Sequence, residues 1–389
     1  MTKLDELIQE LCPDGVEFVS MNELLKRKQI STITPTIKVK RNDYLDIGET
    51  PIISQEIEYI SGYCNFHDKN IPCGNYVCFG DHSEHIKYIN FSFVQGADGL
   101  KIMRTNESTI SSRYLFHALS SKYQRHNNYE RHFKYLTDTI IPVPPLPVQR
   151  EIVRILDNFT ELTAELTAEL TARKKQYAYY RDKLLTHSSE TKICKLADVC
   201  ESIADGDHMP PPKADDGIPF ITISNITEQN KIDFSNTMFV PSSYYDALAD
   251  KRKPHSGDIL YTVVGSYGIP VCIEQDTKFV FQRHIAILCP RSEVIKARYM
   301  FHAMQSGAFK AQADKAAKGA AQKTIGLSSL AEMTLPVPDM CIQERLIRVL
   351  DNFDAICTDL NIGLPAEIEA RQKQYEYYRD KLLSFEEKT

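Results

Sequence analysis

The clearest pattern in the chain is an apolar residue at every third, fourth or seventh position of two long, otherwise charged stretches. The first stretch, Gln149–Leu185, carries Ile152, Leu156 and Leu162 in this pattern, and the second is Gln343–Leu383. Such spacing places the apolar side chains on one face of an α-helix. A single apolar stripe needs a partner helix to cover it, so the pattern predicts two long antiparallel helices that form a coiled coil.

Proline and glycine mark the start of each predicted helix and one internal break. PVPPLP precedes the first helix and PVPD precedes the second. Because proline opposes helix and favours an extended neighbour, the chain should enter both helices in an extended conformation. In the second helix, NIGLP at Asn361–Pro365 predicts a break or kink, since glycine and proline both oppose helix continuation.

The remaining sequence alternates short β-branched runs with turns. IPFITISNI (Ile218–Ile226), GDILYTVVG (Gly257–Gly265) and KFVFQRHIAILCP (Lys278–Pro290) are bounded by Gly, Pro or Asn, which is typical of short strands. One helix is predicted to close each globular part, at Arg113–Lys122 and at Arg298–Gln305. Each part should therefore be an α/β module with a twisted sheet.

The chain consists of two related halves. IPVPPLPVQREIVRILDNF returns as LPVPDMCIQERLIRVLDNF, RKKQYAYYRDKLL returns as RQKQYEYYRDKLL, and RYLFHALSS returns as RYMFHAMQS. Weaker echoes pair FVSMNEL with ICKLADV and GNYVCF with GDILYT. The predicted fold is α/β (α+β) with an internal two-fold pseudo-repeat. Its parts are a short N-terminal helix with the first module at 1–141, a central helix at 142–190, the second module at 191–335 and a C-terminal helix at 336–389.

A tetrapeptide ladder, TELTAELTAELTA at Thr160–Ala172, lies inside the first predicted helix. Glu and Ala favour helix, and Leu at every fourth position keeps one face apolar. Adding one TAEL unit lengthens a helix by about 6 Å without changing its surface chemistry. The ladder is interpreted as a length adjuster, and the alternative is a solvated spacer without functional meaning.

Composition and charge limit the class of protein. The 389 residues suggest two or three domains. The net charge of −6 argues mildly against a generic nucleic-acid binder, although local basic patches can still meet phosphate. Ten cysteines without dense spacing fit reduced thiols. With no signal peptide and no long apolar run, the predicted localisation is cytoplasmic, without membrane contact.

Motifs for catalysis are not recognisable in the sequence. The proline run MPPPK at Met209–Lys213 lacks the acidic or amide residue and the aromatic that would hold a flipped base. Neither a GxxxxGK[ST] loop nor a Rossmann glycine fingerprint is present. The chain is therefore expected to be non-catalytic.

A cluster of cysteines and histidines leaves one question open. These residues occur within a short span with Cys-x2-His and His-x2-His spacings, which makes a structural zinc site conceivable. Core cysteines with surface histidines are the favoured interpretation, and no metal ligand is assigned. The residues are Cys64, His67, Cys73, Cys78, His82 and His85.

Two variable halves, each followed by PVP, LDNF and KQY-x-YYRDKLL, resemble the specificity subunit of a Type I restriction–modification enzyme over essentially the whole chain. ELCPDGVEF at Glu10–Phe18 and GLPAEIEARQKQYEYYRDKLL at Gly363–Leu383 add to the resemblance. It implies two target recognition domains that read the halves of a split sequence in double-stranded DNA. It also implies that the helices set the gap and dock two methyltransferase subunits, with restriction/translocase subunits completing the complex. S-adenosylmethionine and ATP/Mg would belong to those partners, with no cofactor in this chain.

Candidate contact residues follow from the side chains that recognise bases and phosphates. Basic and amide groups clustered in loops or beside glycine are the expected DNA contacts: Arg125, Asn128, Arg131, Lys134, Lys251, Arg252, Lys253, Ser266, Tyr267, Arg283, Lys318, Gln322 and Lys323. Gln95 and GDHSEH at Gly80–His85 are further candidates. A Tyr-rich, charged helix face suits a protein interface: Lys174, Lys175, Tyr177, Tyr179, Arg181, Tyr375, Tyr377 and Arg379.

Two other functions are compatible with the sequence. A divergent self-sufficient DNA methyltransferase would bind S-adenosylmethionine without partners, which titration calorimetry detects. A duplicated structural adaptor would give no shift with DNA in a gel, with or without methyltransferase subunits.

Overall fold

The computed structural model describes residues 2–35, 37–65, 70–96, 99–186, 191–206, 211–227, 229–320, 322–359 and 362–388. These residues form two compact units. Unit 1 comprises Met1–Glu165 and Ile368–Thr389, and unit 2 comprises Leu166–Glu367. Each unit therefore contains one globular module together with parts of both long helical segments.

The helices are α1 Lys3–Leu11, α2 Met21–Lys26, α3 Ser112–Lys122, α4 Phe133–Asp138, α5 Leu146–Leu184, α6 Leu196–Val199, α7 Ser242–Asp246, α8 Ala297–Met304, α9 Gly307–Ala316, α10 Leu327–Ala331, α11 Met340–Thr358 and α12 Leu364–Leu382. The strands are β1 Phe18–Ser20, β2 Ile30–Ile33, β3 Thr50–Ile53, β4 Gly62–Cys64, β5 Tyr76–Gly80, β6 Ile86–Ile89, β7 Val94–Gln95, β8 Leu100–Thr105, β9 Ile140–Pro142, β10 Lys192–Lys195, β11 Cys200–Asp205, β12 Ile218–Ile221, β13 Met238–Val240, β14 Ile259–Thr262, β15 Pro270–Cys272, β16 Val280–Phe281, β17 Ile285–Pro290 and β18 Thr334–Val337. Short 3-10 turns occur at Arg41–Asp43, Ile223–Asn225 and Asp250–Arg252.

Unit 1 contains a four-stranded sheet, a three-stranded sheet and a separate strand pair. The four-stranded sheet has the order β2-β8-β5-β6 and is antiparallel throughout. In the three-stranded sheet, β3 is antiparallel to β4 and parallel to β7. The strand pair joins β1 to β9, which brings the beginning of the module next to the segment that enters α5.

Unit 2 repeats this topology strand for strand. Its four-stranded sheet has the order β11-β17-β14-β15, its three-stranded sheet places β12 between antiparallel β13 and parallel β16, and β10 pairs with β18. The echo of GNYVCF in GDILYT lies on β5 and β14, which are the equivalent central strands. The predicted duplication and the α/β class are therefore confirmed.

The central strands are buried on both faces. In unit 1, Val77 and Phe79 of β5 pack in the cluster that contains α3, while Tyr76 and Cys78 pack in a second cluster on the other face. In unit 2, Ile259 and Tyr261 of β14 pack with α8, while Leu260 packs on the other side. Burial of both faces explains why these strands are continuous apolar runs without alternation.

The long helices pack in pairs inside each unit. In unit 1, the Phe159 ring of α5 stacks on Tyr378 of α12 with centroids 5.4 Å apart, and the amino-terminal part of α5 shares a cluster with the carboxyl end of α12. In unit 2, Tyr177 of α5 stacks on Phe353 of α11 at 6.1 Å. Within unit 1, the start of α5 lies beside the end of α12, which is the order of an antiparallel pair.

The predicted break in the second helical segment is confirmed. α11 ends at Thr358 and α12 begins at Leu364, whereas α5 is continuous over 39 residues. A Cβ on Gly363 would approach the Ala355 carbonyl oxygen to 2.6 Å and the Asp359 carbonyl oxygen to 2.7 Å. The turn therefore requires glycine, and Asn361 of the predicted breaker lies outside the described residues.

One part of the fold prediction is wrong. A single helix was expected to close each module, but α4 follows α3 in unit 1, and α9 and α10 follow α8 in unit 2. The Ala-rich stretch from Lys310 is helical up to Ala316 because Ser306 caps α9 and Phe309 and Ala313 are buried. High helix propensity and two core contacts outweigh the polar appearance of this stretch.

A buried glutamine holds the Pro-rich segment at the start of each long helix. Gln343 is fully buried. Its Nε2 donates to the carbonyl oxygens of Pro338 at 2.8 Å and Val294 at 3.1 Å, and its Oε1 accepts from the Lys296 backbone N–H at 2.9 Å. Gln149 makes the equivalent three bonds in unit 1. The Gln of the repeated connector therefore locks the helix to the module that precedes it.

A buried histidine joins three elements of unit 1. Asp157 of α5 accepts a hydrogen bond from Arg113 Nε at 2.7 Å and lies 3.1 Å from His117 Nε2. The Tyr375 hydroxyl of α12 lies 2.9 Å from His117 Nδ1. If Nε2–H donates to Asp157, Nδ1 can accept from Tyr375, so both bonds are satisfied by a neutral imidazole.

The same network recurs in unit 2. His302 Nε2 lies 2.7 Å from Asp351, which also accepts from Arg298 Nε at 2.6 Å, and the Tyr177 hydroxyl lies 3.0 Å from His302 Nδ1. The Tyr of each KQY motif thus links the helix that carries it to a module whose histidine also bonds to an Asp of the other long helix.

Lowering the pH from 7.5 to 5.5 is expected to destabilise both units. Burial lowers the pKa of His117 and His302, whereas the unfolded chain has ordinary histidines with a pKa of about 6.5. Below that pH the unfolded state binds more protons, so unfolding is favoured by up to about 1.4 kcal/mol per histidine per pH unit. Thermal unfolding midpoints at pH 7.5, 6.5 and 5.5 measure the effect. His302→Gln should remove part of the drop, and the same change at exposed His255 should leave it intact.

Candidate nucleic-acid interface

The predicted DNA contacts of unit 2 meet where the connection after β14 touches the segment after α9. The Gly265 backbone N–H donates to the Lys323 carbonyl oxygen at 3.0 Å, and Val264 pairs with Thr324. Gly265 has φ +74°, a conformation that favours glycine. Ser266 and Lys323 are thereby brought onto one exposed surface.

Arg283 and Gln322 join this surface around a shallow cavity. The cavity has a volume of about 310 Å³ and is lined by both residues together with His284 and Asp205. Arg283 lies in the turn between β16 and β17, and its side chain is exposed. Burial, followed by the charge of Arg283, lowers the pKa of His284. The cavity therefore offers a guanidinium and an amide, two groups that recognise base edges.

Of two further candidates, one has its side chain bound within the protein and the other is held only through its backbone. The Tyr267 hydroxyl donates to Asp314 of α9 at 2.9 Å, so this side chain holds the loop onto the helix. Lys318 pairs through its backbone with Thr324, which leaves its exposed side chain at the edge of the surface.

The basic loop Lys251–Lys253 divides into side chains with different surroundings. Arg252 Nη2 contacts Asp205 of the cavity at 3.5 Å. Lys253 Nζ donates to the Asp246 carbonyl oxygen at 3.3 Å and lies 5.7 Å from the Tyr245 ring centroid. Lys251 is exposed. Arg252 thus adjoins the cavity, whereas Lys253 is turned toward α7.

The candidates of unit 1 occupy the topologically equivalent place. Arg125, Asn128 and Arg131 lie between α3 and α4, next to the connection after β5. The Glu84 carboxylate of that connection is buried and accepts the backbone N–H groups of His126 at 2.9 Å and Asn127 at 2.8 Å. Burial alone would raise the pKa of Glu84, but hydrogen bonds from Tyr123 and the two amides outweigh it and lower the pKa.

Asp81 anchors the other end of the same loop. Its Oδ1 accepts the Phe133 backbone N–H at 2.8 Å, and its carbonyl oxygen lies 3.1 Å from His132 Nδ1. His82 stacks on Tyr129 with centroids 5.2 Å apart. GDHSEH therefore supports the loop, a role that the sequence did not reveal beyond a polar stretch directly after a buried strand.

Some of the unit 1 candidates have partners within the loop. Asn128 Oδ1 lies 2.7 Å from His132 Nε2, and Lys134 Nζ donates to Glu130 at 3.0 Å. The suggestion that Gln95 contacts DNA is wrong, because Gln95 is buried on β7 and donates to the Leu100 carbonyl oxygen at 3.2 Å. Arg125 and Arg131 are exposed, and they are the best placed cations of this surface.

The residues of the predicted protein interface on the long helices fall into two groups. Tyr177 and Arg181 are buried in unit 2, where the Arg181 guanidinium lies 5.1 Å from the Tyr177 ring centroid. Tyr375 and Arg379 are turned toward unit 1 in the same way, with a distance of 5.8 Å. The two tyrosines face their own modules because their hydroxyls bond to His302 and His117. Tyr177 and Arg181 are buried, whereas Tyr375 and Arg379 are partly exposed.

The other half of the predicted interface remains open to solvent. Tyr179 is 61% exposed and Tyr377 is 62% exposed, at equivalent positions of the two repeats. A lysine lies 5.9 Å from each ring centroid, Lys183 beside Tyr179 and Lys381 beside Tyr377. Lys174 and Lys175 are also exposed.

The cysteine and histidine cluster is dispersed over the first module. Cys64 and Cys78 are buried, Cys73 is exposed, and burial raises the pKa of Cys78 to about 12. His82 bonds to the Glu130 carbonyl oxygen, and His85 lies near Arg125. Over the residues that the structure describes, no three Cys, His, Asp or Glu side chains are placed to hold a metal. His67, like Met209 and Pro210 of MPPPK, falls in a gap between the described ranges.

Among the described helices, none combines the length and the apolar character that a membrane span requires.

Comparisons with known proteins agree on one family. The sequence profile of the "Type I restriction modification DNA specificity domain" matches twice, at residues 13–173 and 188–370. The EcoR124I/EcoR124II specificity subunit of Escherichia coli is 30% identical over 99% of this chain and 97% of its own length. A putative type I restriction enzyme specificity subunit of Haemophilus influenzae is 32% identical over 63% of each chain. The crystal structure of a type I restriction–modification S subunit from M. genitalium has a TM-score of 0.53 at 13% identity, covering 95% of this chain and 96% of that one.

Proposed function

The chain belongs to the family of type I restriction–modification specificity subunits, and from this premise we propose that it reads a two-part DNA target, with one half-site for each unit. As a specificity subunit it contributes DNA recognition rather than catalysis, within a complex of restriction–modification subunits. The observation that carries the proposal is the placement of the candidate contacts. In unit 1 most of them lie between α3 and α4, beside the connection after β5, and in unit 2 most of them lie between α9 and α10 or in the connection after β14.

Within each surface we assign different roles to different side chains. Arg283 and Gln322 line a cavity and have the geometry to read base edges, guanine by the guanidinium and adenine by the amide. Lys323, Lys318 and Arg131 lie at exposed positions and suit phosphate contacts, which position the protein without carrying sequence information. The half-site of unit 2 is expected to include at least one G·C pair read by Arg283.

We assign the exposed side of the long helices to the partner subunits. Tyr179 and Tyr377 repeat at equivalent positions, each beside a lysine, and exposed tyrosines with cations are common centres of protein interfaces. The repeat suits two methyltransferase subunits, which would supply S-adenosylmethionine, while the restriction/translocase subunits would supply ATP/Mg. The predicted boundaries at 1–141, 142–190, 191–335 and 336–389 describe the modules and helices of this assembly.

Removal of a phosphate contact is expected to weaken DNA binding and its salt dependence together. Lys323→Ala and Arg131→Ala should each lower the slope of log K against log salt by about one unit and affect all sequences alike. Fluorescence anisotropy with the target duplex over a series of salt concentrations measures the slope. The matched control is Lys192→Ala, which removes an exposed lysine on the separate β10–β18 strand pair. A slope equal to that of the wild type removes the residue from the interface.

The proposal as a whole is tested by sequencing methylated DNA from cells that express this chain with its methyltransferase subunits. The expected result is a single two-part motif with a fixed gap. Replacement of Arg283 and Gln322 by alanine should relax one half of that motif and leave the other half unchanged. A motif in one continuous piece, or none, would refute the assignment of half-sites to units.

A further inference from the structure

In unit 1, an aromatic side chain of the sheet fills a corner beside α3. Tyr88 lies on β6 opposite Val77 of β5. Its ring centroid is 4.7 Å from the Arg113 guanidinium carbon and 6.3 Å from the centroid of Phe116. The Tyr59 hydroxyl, from a neighbouring loop, donates to the Tyr88 carbonyl oxygen at 2.6 Å. The corner is thus closed by residues of the unit itself.

In unit 2, a cysteine replaces this tyrosine. Ile259 of β14 takes the place of Val77, because each faces the cluster that contains the helix of RYMFHAMQS or RYLFHALSS, α8 or α3. Leu260, which the letter-by-letter echo aligns with Val77, faces the other cluster. The residue opposite Ile259 is Cys272. Arg298 and Phe301 of RYMFHAMQS correspond to Arg113 and Phe116 of RYLFHALSS. Unit 2 therefore retains the arginine and the phenylalanine. It lacks the aromatic ring that lies between these two residues and the sheet in unit 1.

A cavity opens at this position in unit 2. Its volume is about 660 Å³, and Cys272, Arg298 and Phe301 are part of its lining. Phe279 and Phe234 add apolar surface. A cavity of this size accommodates a side chain with its flanking residues.

The charges around the cavity select the kind of ligand. The Arg298 guanidinium is already paired, with Asp351 at 2.6 Å and with Asp354 at 2.8 Å, and stacks over Phe301 at 4.6 Å. Glu274, which is 75% exposed and lies 3.8 Å from Arg298 Nη1, and Asp359 add negative charge at the rim, while Lys231 is a further cation of the lining. Four carboxylates therefore face two cations. An anionic ligand would meet excess negative charge, whereas an aromatic ring can lie against the guanidinium and basic neighbours can pair with the rim.

We propose that this cavity receives an aromatic side chain, flanked by lysine or arginine, from a methyltransferase subunit. The ring would take the place that Tyr88 has in unit 1. A second copy of this chain is disfavoured because its net charge is −6 and the rim is acidic. The identity of the partner rests on the proposed function. The consequence is an asymmetric scaffold, in which unit 2 holds a partner by a contact that unit 1 has already satisfied internally.

The test is to fill the cavity with the residue that unit 1 carries. Cys272→Tyr should leave thermal unfolding and binding of the target duplex unchanged. It should weaken binding of the purified methyltransferase subunit to the full chain by about tenfold or more, the effect of losing an interface anchor. Cys272→Ser is the matched control and should bind as the wild type does. Calorimetric titration with the methyltransferase subunit measures the affinity.

A charge variant keeps the proposal testable if Cys272→Tyr does not fold. Glu274→Lys reverses the charge of an exposed rim residue and should also weaken binding, whereas Glu201→Lys, at an exposed position of β11, should not. If both Cys272→Tyr and Glu274→Lys bind the methyltransferase subunit as strongly as the wild type does, the inference is overturned. Methylation of a two-part target by the wild-type complex would still support the proposed function in that case. Self-association of the wild-type chain that Cys272→Tyr abolishes would assign the cavity to a second copy and overturn the choice of partner.

Discussion

A chain that lacks Thr167–Leu170, one TAEL unit, is expected to direct methylation to a target with unchanged half-sites and a gap shorter by one or two base pairs. α5 is continuous through this stretch, and four residues of helix contribute about 6 Å of length and about 40° of rotation beyond a full turn. Base pairs are spaced by about 3.4 Å, so the change in length is comparable with one or two of them. Sequencing of methylated DNA from cells that carry the variant measures the gap directly.

The control for this deletion keeps the length and changes the surface. Thr167→Ala combined with Glu169→Gln alters two exposed side chains of the same unit and should leave the gap as it is. Insertion of one further TAEL unit should lengthen the gap by the same amount. If the deleted chain methylated its original target with the original gap, helix length would not set the separation of the half-sites.

Replacement of Gln343 by alanine is expected to destabilise unit 2 by about 3 kcal/mol or more. The change leaves one partly buried N–H and two partly buried carbonyl groups without their partners, and each such loss costs about 1 kcal/mol, the lower end of the range for buried groups. Urea unfolding followed by circular dichroism measures the effect. Because the chain has two units, unfolding is expected to show two transitions. The substitution should shift the transition of unit 2.

The repeat supplies an internal comparison for this prediction. Gln149→Ala removes the equivalent bonds of unit 1 and should shift the other transition. Gln372 of α12 is exposed, and its replacement by alanine should change stability by less than about 0.5 kcal/mol. A Gln343→Ala chain as stable as the Gln372→Ala chain would show that the Pro-rich segment is held by other contacts.

The periodic parts of the sequence were the most predictable. The stripe of apolar residues predicted both long helices and their pairing, and NIGLP predicted the break between α11 and α12, because these features depend on local spacing and on glycine and proline chemistry. The order of the strands in the sheets could not be predicted from the sequence. Short strands such as β7 and β16 contain two residues each, too few for any period to be recognised.

Which side of each long helix packs against a module was harder to predict than the existence of the helices. Tyr177 and Tyr179 look equivalent in KQYAYY, yet Tyr177 is buried against His302 and Tyr179 is open to solvent. The two tyrosines differ in exposure because only one side of the helix packs against a module. The contacts of that side join residues that are distant in the chain, so local sequence does not reveal them. The role of Glu84 was hidden for the same reason, since it holds backbone amides at positions 126 and 127.

The paired Tyr–His fastenings have an evolutionary consequence. Tyr177 serves the module built from the second half of the chain, and Tyr375 serves the module built from the first, through nearly identical motifs. A genetic exchange within KQY-x-YYRDKLL would therefore deliver a foreign module to a helix that already carries the matching tyrosine. We expect such crossovers to combine half-sites in new pairs without any change to the Tyr–His hydrogen bonds.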